Sequence, residues 1–207
     1  MRHSSIKTIV GLSLFAGGVV ISFAADPVKG DAAKAVPIVE RLCSGCHGQD
    51  GNSPVPNFPS LSGHYPEYLL HEMLEYKEHH RDNEMMSPVI QELSEEDMAN
   101  LAVYFAAQKP TPATVTEPGL LALGKQIYHD GIADSGLPAC EGCHGEDGYG
   151  SARFPRVAGQ NSEYTQEQFR QYVNGKRKHG KMLMRVVAER ITEQEVKAVA
   201  EYIASMP

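Results

Sequence analysis

Cys43-Ser44-Gly45-Cys46-His47 and Cys140-Glu141-Gly142-Cys143-His144 are the two stretches on which the fold turns. Between them they use all four cysteines of a chain of 207 residues. Each opens a longer shared text. His47-Gly-Gln-Asp-Gly is matched by His144-Gly-Glu-Asp-Gly, and Asn57-Phe58-Pro59 by Arg153-Phe154-Pro155. Gly63 and Tyr68 are matched by Gly159 and Tyr164, Leu93-Ser94-Glu95-Glu96-Asp97 by Ile191-Thr192-Glu193-Gln194-Glu195, and Tyr104 by Tyr202. The spacing between partners stays between 96 and 98 residues throughout, so the chain is a tandem duplication.

The boundaries follow from composition. Arg2 and Lys7 precede an apolar run over Ile9 to Phe23, and small residues lie at Ser22 and Ala24. That pattern predicts a signal peptide over residues 1–24, cleaved near Ala24 or Ala25, because the run is shorter than the roughly 20 residues a membrane span needs. Lys109 to Pro118 holds three prolines, which remove backbone donors and disfavour helix. The predicted units are 25–109 and 119–207, joined by an extended linker over 110–118. Units of 85 to 90 residues are small for a self-sufficient apolar core. With no Trp and few aromatics, a bulky apolar cofactor is expected to fill part of each.

The expected fold class is all-α. Ser94-x-x-Asp97 and Thr192-x-x-Glu195 are capping boxes that predict helix starts. Met98, Leu101, Ala102 and Phe105 recur at helical spacing, as do Val196, Val199, Ala200 and Ile203, and both stripes are assigned to core. Further helices are expected from Glu67 to about His80 and from Gln166 to Asn174. No strand alternation stands out.

The cysteine motifs carry the chemistry. One helical turn between two thiols, followed by His, is the pattern of covalent c-type haem attachment. The rivals fit worse. Zinc ribbons bring their pairs within about 15–20 residues, whereas Cys46 and Cys140 lie 94 apart. A redox Cys-x-x-Cys is expected near a βαβ pattern, which is absent. Structural disulfides suit an exported chain but leave the adjoining histidines unexplained. Two haems c are therefore expected, on Cys43 with Cys46 and on Cys140 with Cys143, with His47 and His144 as proximal iron ligands.

The distal ligand is expected to be Met. Each repeat offers two, Met85 and Met86, then Met182 and Met184. Met86 and Met184 each stand seven residues before the start of the matched Leu93 and Ile191 segments, which makes them the equivalent pair. Histidines at 79, 80 and 179 are the alternatives; they lie in polar, charged stretches and are expected at the surface, as are His64, His71 and His129.

The chain resembles the cytochrome c4 family, two class I cytochrome c domains on a short linker, over nearly all of residues 25–207. The resemblance rests on Asp50-Gly51-Asn52-Ser53-Pro54, Asn57-Phe58-Pro59, Leu61 with Gly63, Gly136-Leu137-Pro138-Ala139-Cys140 and Met182-Leu183-Met184-Arg185. It implies axial pairs His47 with Met86 and His144 with Met184. It also implies periplasmic electron transfer towards a terminal oxidase. Apart from the resemblance, two alternatives stand: the cytochrome subunit of a periplasmic dehydrogenase with a flavoprotein partner, and a dihaem peroxidase-type enzyme.

Charge narrows the partners. The chain carries 19 Lys and Arg against 26 Asp and Glu, a net −7 that argues against nucleic acid. Lys176, Arg177, Lys178 and Lys181 form a positive run before Met184, read either as a solvated loop or as a docking face for an acidic redox partner. Docking on a membrane complex without insertion is also expected. No carboxylate pair, activated nucleophile or phosphate loop points to an enzyme.

Overall fold

A computed structural model describes residues 27–178 and 181–207, and of Lys181 and Met182 only the backbone. The predicted signal peptide with its cleavage point, His179, and the side chains of Lys181 and Met182 lie outside the described residues.

The first repeat begins with α1 (Ala32–Ile38), capped by the Asp31 carboxylate on the Ala33 N–H. A π-helical turn over Val39–Cys43 carries α1 directly into α2 (Ser44–His47), which holds the first motif. Next come α3 (Pro66–Lys77), α4 (Met86–Gln91) and α5 (Glu95–Ala106). A short 3-10 turn at Pro118–Leu120 starts the second repeat, with α6 (Leu121–Asp130), α7 (Glu141–His144), α8 (Ser162–Val173), α9 (Lys181–Ala188) and α10 (Glu193–Ser205). The architecture is all-α: among the described residues only two isolated bridges, Arg81 with Arg177 and Ile132 with Leu137, pair in β fashion.

Both capping boxes form. Ser94 and Asp97 satisfy each other's backbone at the start of α5, and Thr192 and Glu195 do the same for α10. Such caps each stabilise a helix by about 1 kcal/mol. α3 starts at Pro66, whose missing N–H costs nothing in a first turn, and stops at Lys77, three residues short of His80. α8 starts at Ser162, four residues before the expected Gln166.

α5 packs on α1 and α3 in the first repeat, and α10 packs on α6 and α8 in the second. Met98, Leu101, Ala102 and Phe105 are buried, as are Val196, Val199, Ala200 and Ile203. Where α6 crosses α10, Gly124 lies so close to the Ala198 carbonyl that a Cβ would collide with it. Glycine there is a packing requirement.

The connection between the repeats is extended but tied down. The Thr111 N–H donates to Asn52 Oδ1 at 3.0 Å and the Ala113 N–H to the Ala204 carbonyl at 2.9 Å. The buried Glu201 carboxylate then accepts from the N–H groups of Thr116 and Glu117, at 2.7 and 3.1 Å, and from the Thr116 hydroxyl at 2.8 Å.

Candidate functional site

Each motif histidine ends its short helix and is stopped there by glycine. Gly48 and Gly145 have φ of 78° and 83°, a region that favours Gly, and their N–H groups return to the Ser44 and Glu141 carbonyls. The chain then loops back so that His47 Nδ1 donates to the Pro59 carbonyl at 2.8 Å. His144 Nδ1 donates to Pro155 at 2.9 Å. A carbonyl can only accept, so each Nδ1 carries the proton and each Nε2 keeps its lone pair. Burial lowers both imidazole pKa values, against a smaller opposing effect of the carbonyls, and holds the rings neutral. Phe58 and Phe154 stand against the two rings with centroids 6.4 Å away.

Burial pushes the thiols of Cys43 and Cys140 up to about 11, opposite to the lowered thiol of a redox-active pair. All four cysteines are free of disulfides. The two repeats reach their motifs differently. The π-helical turn delivers Cys43. In the second repeat α6 ends at Asp130, capped by Gly131, and a loop closed by Ile132 and Leu137 delivers Cys140.

Both motifs open into one cavity of about 1080 Å³ that runs across both repeats. Its walls are mainly apolar, with Leu69, Met73, Ile90 and Leu101 on one side and Phe169, Val187, Val199 and Ile203 on the other. This exceeds the roughly 300–1,000 Å³ of a typical small-ligand site. Cys43, Cys46, His47 and Met86 line the first half; Cys140, Cys143, His144 and Met184 line the second. Free cysteines, available Nε2 atoms and apolar walls fit a covalent haem in each half.

Met85 is 59% exposed, whereas Met86, the first residue of α4, is half-buried against the core of its repeat. Met184 lies on α9 and packs beside Phe169 and Tyr172. His79 and His80 are exposed, beside Asp82 and beside Glu75 and Glu78. His71 is also exposed. Two histidines depart from the surface expectation. His64 is buried, stacks on Tyr68 at 5.3 Å and faces the cavity. Burial, then the neighbouring Arg156 charge, lowers its pKa to about 4. His129 is half-buried between Glu141 and the Tyr202 hydroxyl, at 2.6 and 2.8 Å.

The wall between the two halves is polar, and it corrects the proposed docking run. Arg177 is 6% exposed, ion-paired with Glu72 at 3.1 Å and bonded to Gln168 and the Tyr68 hydroxyl, each at 2.9 Å. It cannot meet a partner protein, because its guanidinium is committed inside the molecule. Lys176 and Lys178 on either side are exposed. The turn after α8 brings Arg177 inward, in an isolated bridge with Arg81, which a charge run conceals in the sequence.

A model of the cytochrome c family matches residues 32–109 and 121–207. The chain is 36% identical to cytochrome c4 of Thiocapsa roseopersicina over 88% of its own length and 96% of that protein. It superimposes on the crystal structure of reduced recombinant cytochrome c4 from Pseudomonas stutzeri with a TM-score of 0.80 at 33% identity, over 86% of this chain and all of that one. It is also 32% identical to the thiosulfate dehydrogenase electron acceptor of Thiomonas intermedia, over 84% of this chain and 82% of that protein. Two cytochrome c domains around one cavity define an electron-transfer protein with two covalent haems c rather than an enzyme. The chain belongs to the cytochrome c4 family.

Proposed function

We propose that Cys43 with Cys46 and Cys140 with Cys143 bond one haem each, and that His47 with Met86 and His144 with Met184 are the axial pairs. The observation that carries this reading is that both sets of residues line one cavity, each histidine presenting a fixed lone pair. A haem bound there supplies reversible one-electron chemistry. The protein's part is to hold and insulate it. The Pro59 and Pro155 carbonyls set ring orientation and tautomer, as the outer partners of metal-bound histidines do. The apolar walls limit water, and a thioether opposite imidazole raises the reduction potential.

The proposed units are residues 25–109 and 119–207, joined over 110–118, with export to the periplasm by residues 1–24. No described helix is long and apolar enough to cross a membrane. Electrons enter through one repeat and leave through the other towards a terminal oxidase. Lys176 and Lys178, with Lys181 of the same run in the sequence, supply positive charge for an acidic partner. A second reading is supported by the likeness to the electron acceptor of a thiosulfate dehydrogenase: the donor is then a dehydrogenase, with the haem chemistry unchanged.

The test is a pyridine haemochrome count with visible and near-infrared spectra of protein made with a haem-attachment system. Two haems per chain and the weak sulfur-to-iron band of the oxidised form at two-haem intensity are expected. A single-haem band or a high-spin signal removes Met86 or Met184 from the ligand set.

A further inference from the structure

Four pairs of equivalent residues meet at the wall between the two halves of the cavity: Tyr68 and Tyr164, Glu72 and Gln168, Tyr76 and Tyr172, Arg81 and Arg177. All eight line the cavity. They are arranged about a local twofold. Arg81 stacks over Tyr76 of its own repeat at 4.7 Å and donates to the Tyr164 hydroxyl of the other at 3.2 Å. Arg177 stacks over Tyr172 at 5.0 Å and donates to Tyr68 at 2.9 Å. Gln168 Oε1 accepts from both guanidiniums at 2.9 Å, and Glu72 is ion-paired with both.

Six of the eight residues are chemically paired, Tyr with Tyr and Arg with Arg. The exception is Glu72 against Gln168, a carboxylate on one arm of the twofold and its neutral isostere on the other. We propose that Glu72 is the residue that makes the two haem sites electrically unequal, acting as a tuning residue through the arginine pair. The proposal rests on the haem positions inferred above. Glu72 and both arginines are between 5% and 7% exposed, so their charges act through protein rather than water and are weakly screened. Two guanidiniums and one carboxylate leave a positive excess at the wall. The Nε–H groups of Arg81 and Arg177 have no protein acceptor, which leaves donors for the acidic edge of a group bound in the cavity.

The sign follows from charge. A carboxylate near a redox iron favours the oxidised state, which is one charge more positive. Glu72→Gln removes that effect, and Gln168→Glu adds it on the other arm. Spectroelectrochemical titration of the two-haem protein reads both midpoints, assigned to each haem by the methyl signals of its Met ligand. Glu72→Gln is expected to raise the midpoints and Gln168→Glu to lower them. The double variant keeps the total charge and the isosteric packing, and is expected to move the two midpoints in opposite senses. Unmoved midpoints in both single variants, or shifts of the same sign in both, overturn the proposal, since loosened packing alone gives no sign reversal. If Glu72→Gln does not fold, the charge-conserving double variant decides: midpoints equal to wild type sink the idea. A wild-type protein without two haems and two sulfur bands defeats the axial assignment instead. Normal wild-type spectra with unmoved variants defeat only the role of Glu72.

Discussion

Gln160 clasps the backbone of Ser60 across the two repeats: its Oε1 accepts from the Ser60 N–H at 2.9 Å and its Nε2 donates to the Ser60 carbonyl at 3.0 Å. Both residues are buried. Asn161 beside it donates to the Phe58 carbonyl at 2.9 Å, next to the Pro59 carbonyl that holds His47. The second repeat thus braces the loop that orients the first histidine.

Gln160→Ala is expected to strand the Ser60 backbone groups without partners and to lower stability by about 1–3 kcal/mol. Denaturant unfolding of the haem-loaded protein measures this. A change below about 0.5 kcal/mol would show that the clasp adds nothing to the interface.

Met184→Leu and Met86→Leu separate the two sites. Each is expected to abolish about half of the near-infrared sulfur band and to lower the midpoint of one haem, because thioether ligation raises it. Haem content should stay at two, since the thioether bonds are elsewhere. An intact band in either variant means a different residue fills that axial position.

Glu201 is expected to confer acid sensitivity on the tie between the repeats. Burial opposes its ionised form, but donors from Glu117, Thr116 and Ser162 outweigh it and hold the pKa below the usual glutamate value. A depressed folded pKa contributes stability that is fully present above the unfolded value, about 4.3. That stability is lost as pH falls through the folded pKa. Melting temperatures across about pH 5 to 3 should fall more steeply for the wild type than for Glu201→Gln. Parallel curves would remove Glu201 as the cause.

The basic run should split into two behaviours. Lys176→Gln with Lys178→Gln should leave stability within about 0.5 kcal/mol, as exposed substitutions do. It should also slow electron exchange with an acidic partner protein at low salt, and high salt should erase the difference. Arg177→Gln should instead destabilise by about 3 kcal/mol, near the low end for a broken buried pair, because Arg81 remains on Glu72. Equal rates in the double lysine variant at low salt would exclude that face from docking. A stable Arg177→Gln protein would remove the structural role.

Local signals decided much in advance. The cysteine and histidine spacing depends on one helical turn, and the duplicated text on no fold at all. The two capping boxes act within three residues, and the stripes of α5 and α10 repeat within two turns. Each is short-range physics, so residue order alone determined the all-α fold, the two units and the motif positions. What only the tertiary structure decided is long-range pairing. Arg177 belongs to a buried wall because Glu72 and Tyr68, about a hundred residues earlier, wait there. His64 is interior because Tyr68 and Arg156 enclose it, and Glu201 holds a connection 84 and 85 residues away. In one dimension these are a surface cation, a surface histidine and a helix acid. Burial makes Arg177 and His64 structural, and the donors of the connection do so for Glu201; both exist only once distant parts of the chain have closed on one another.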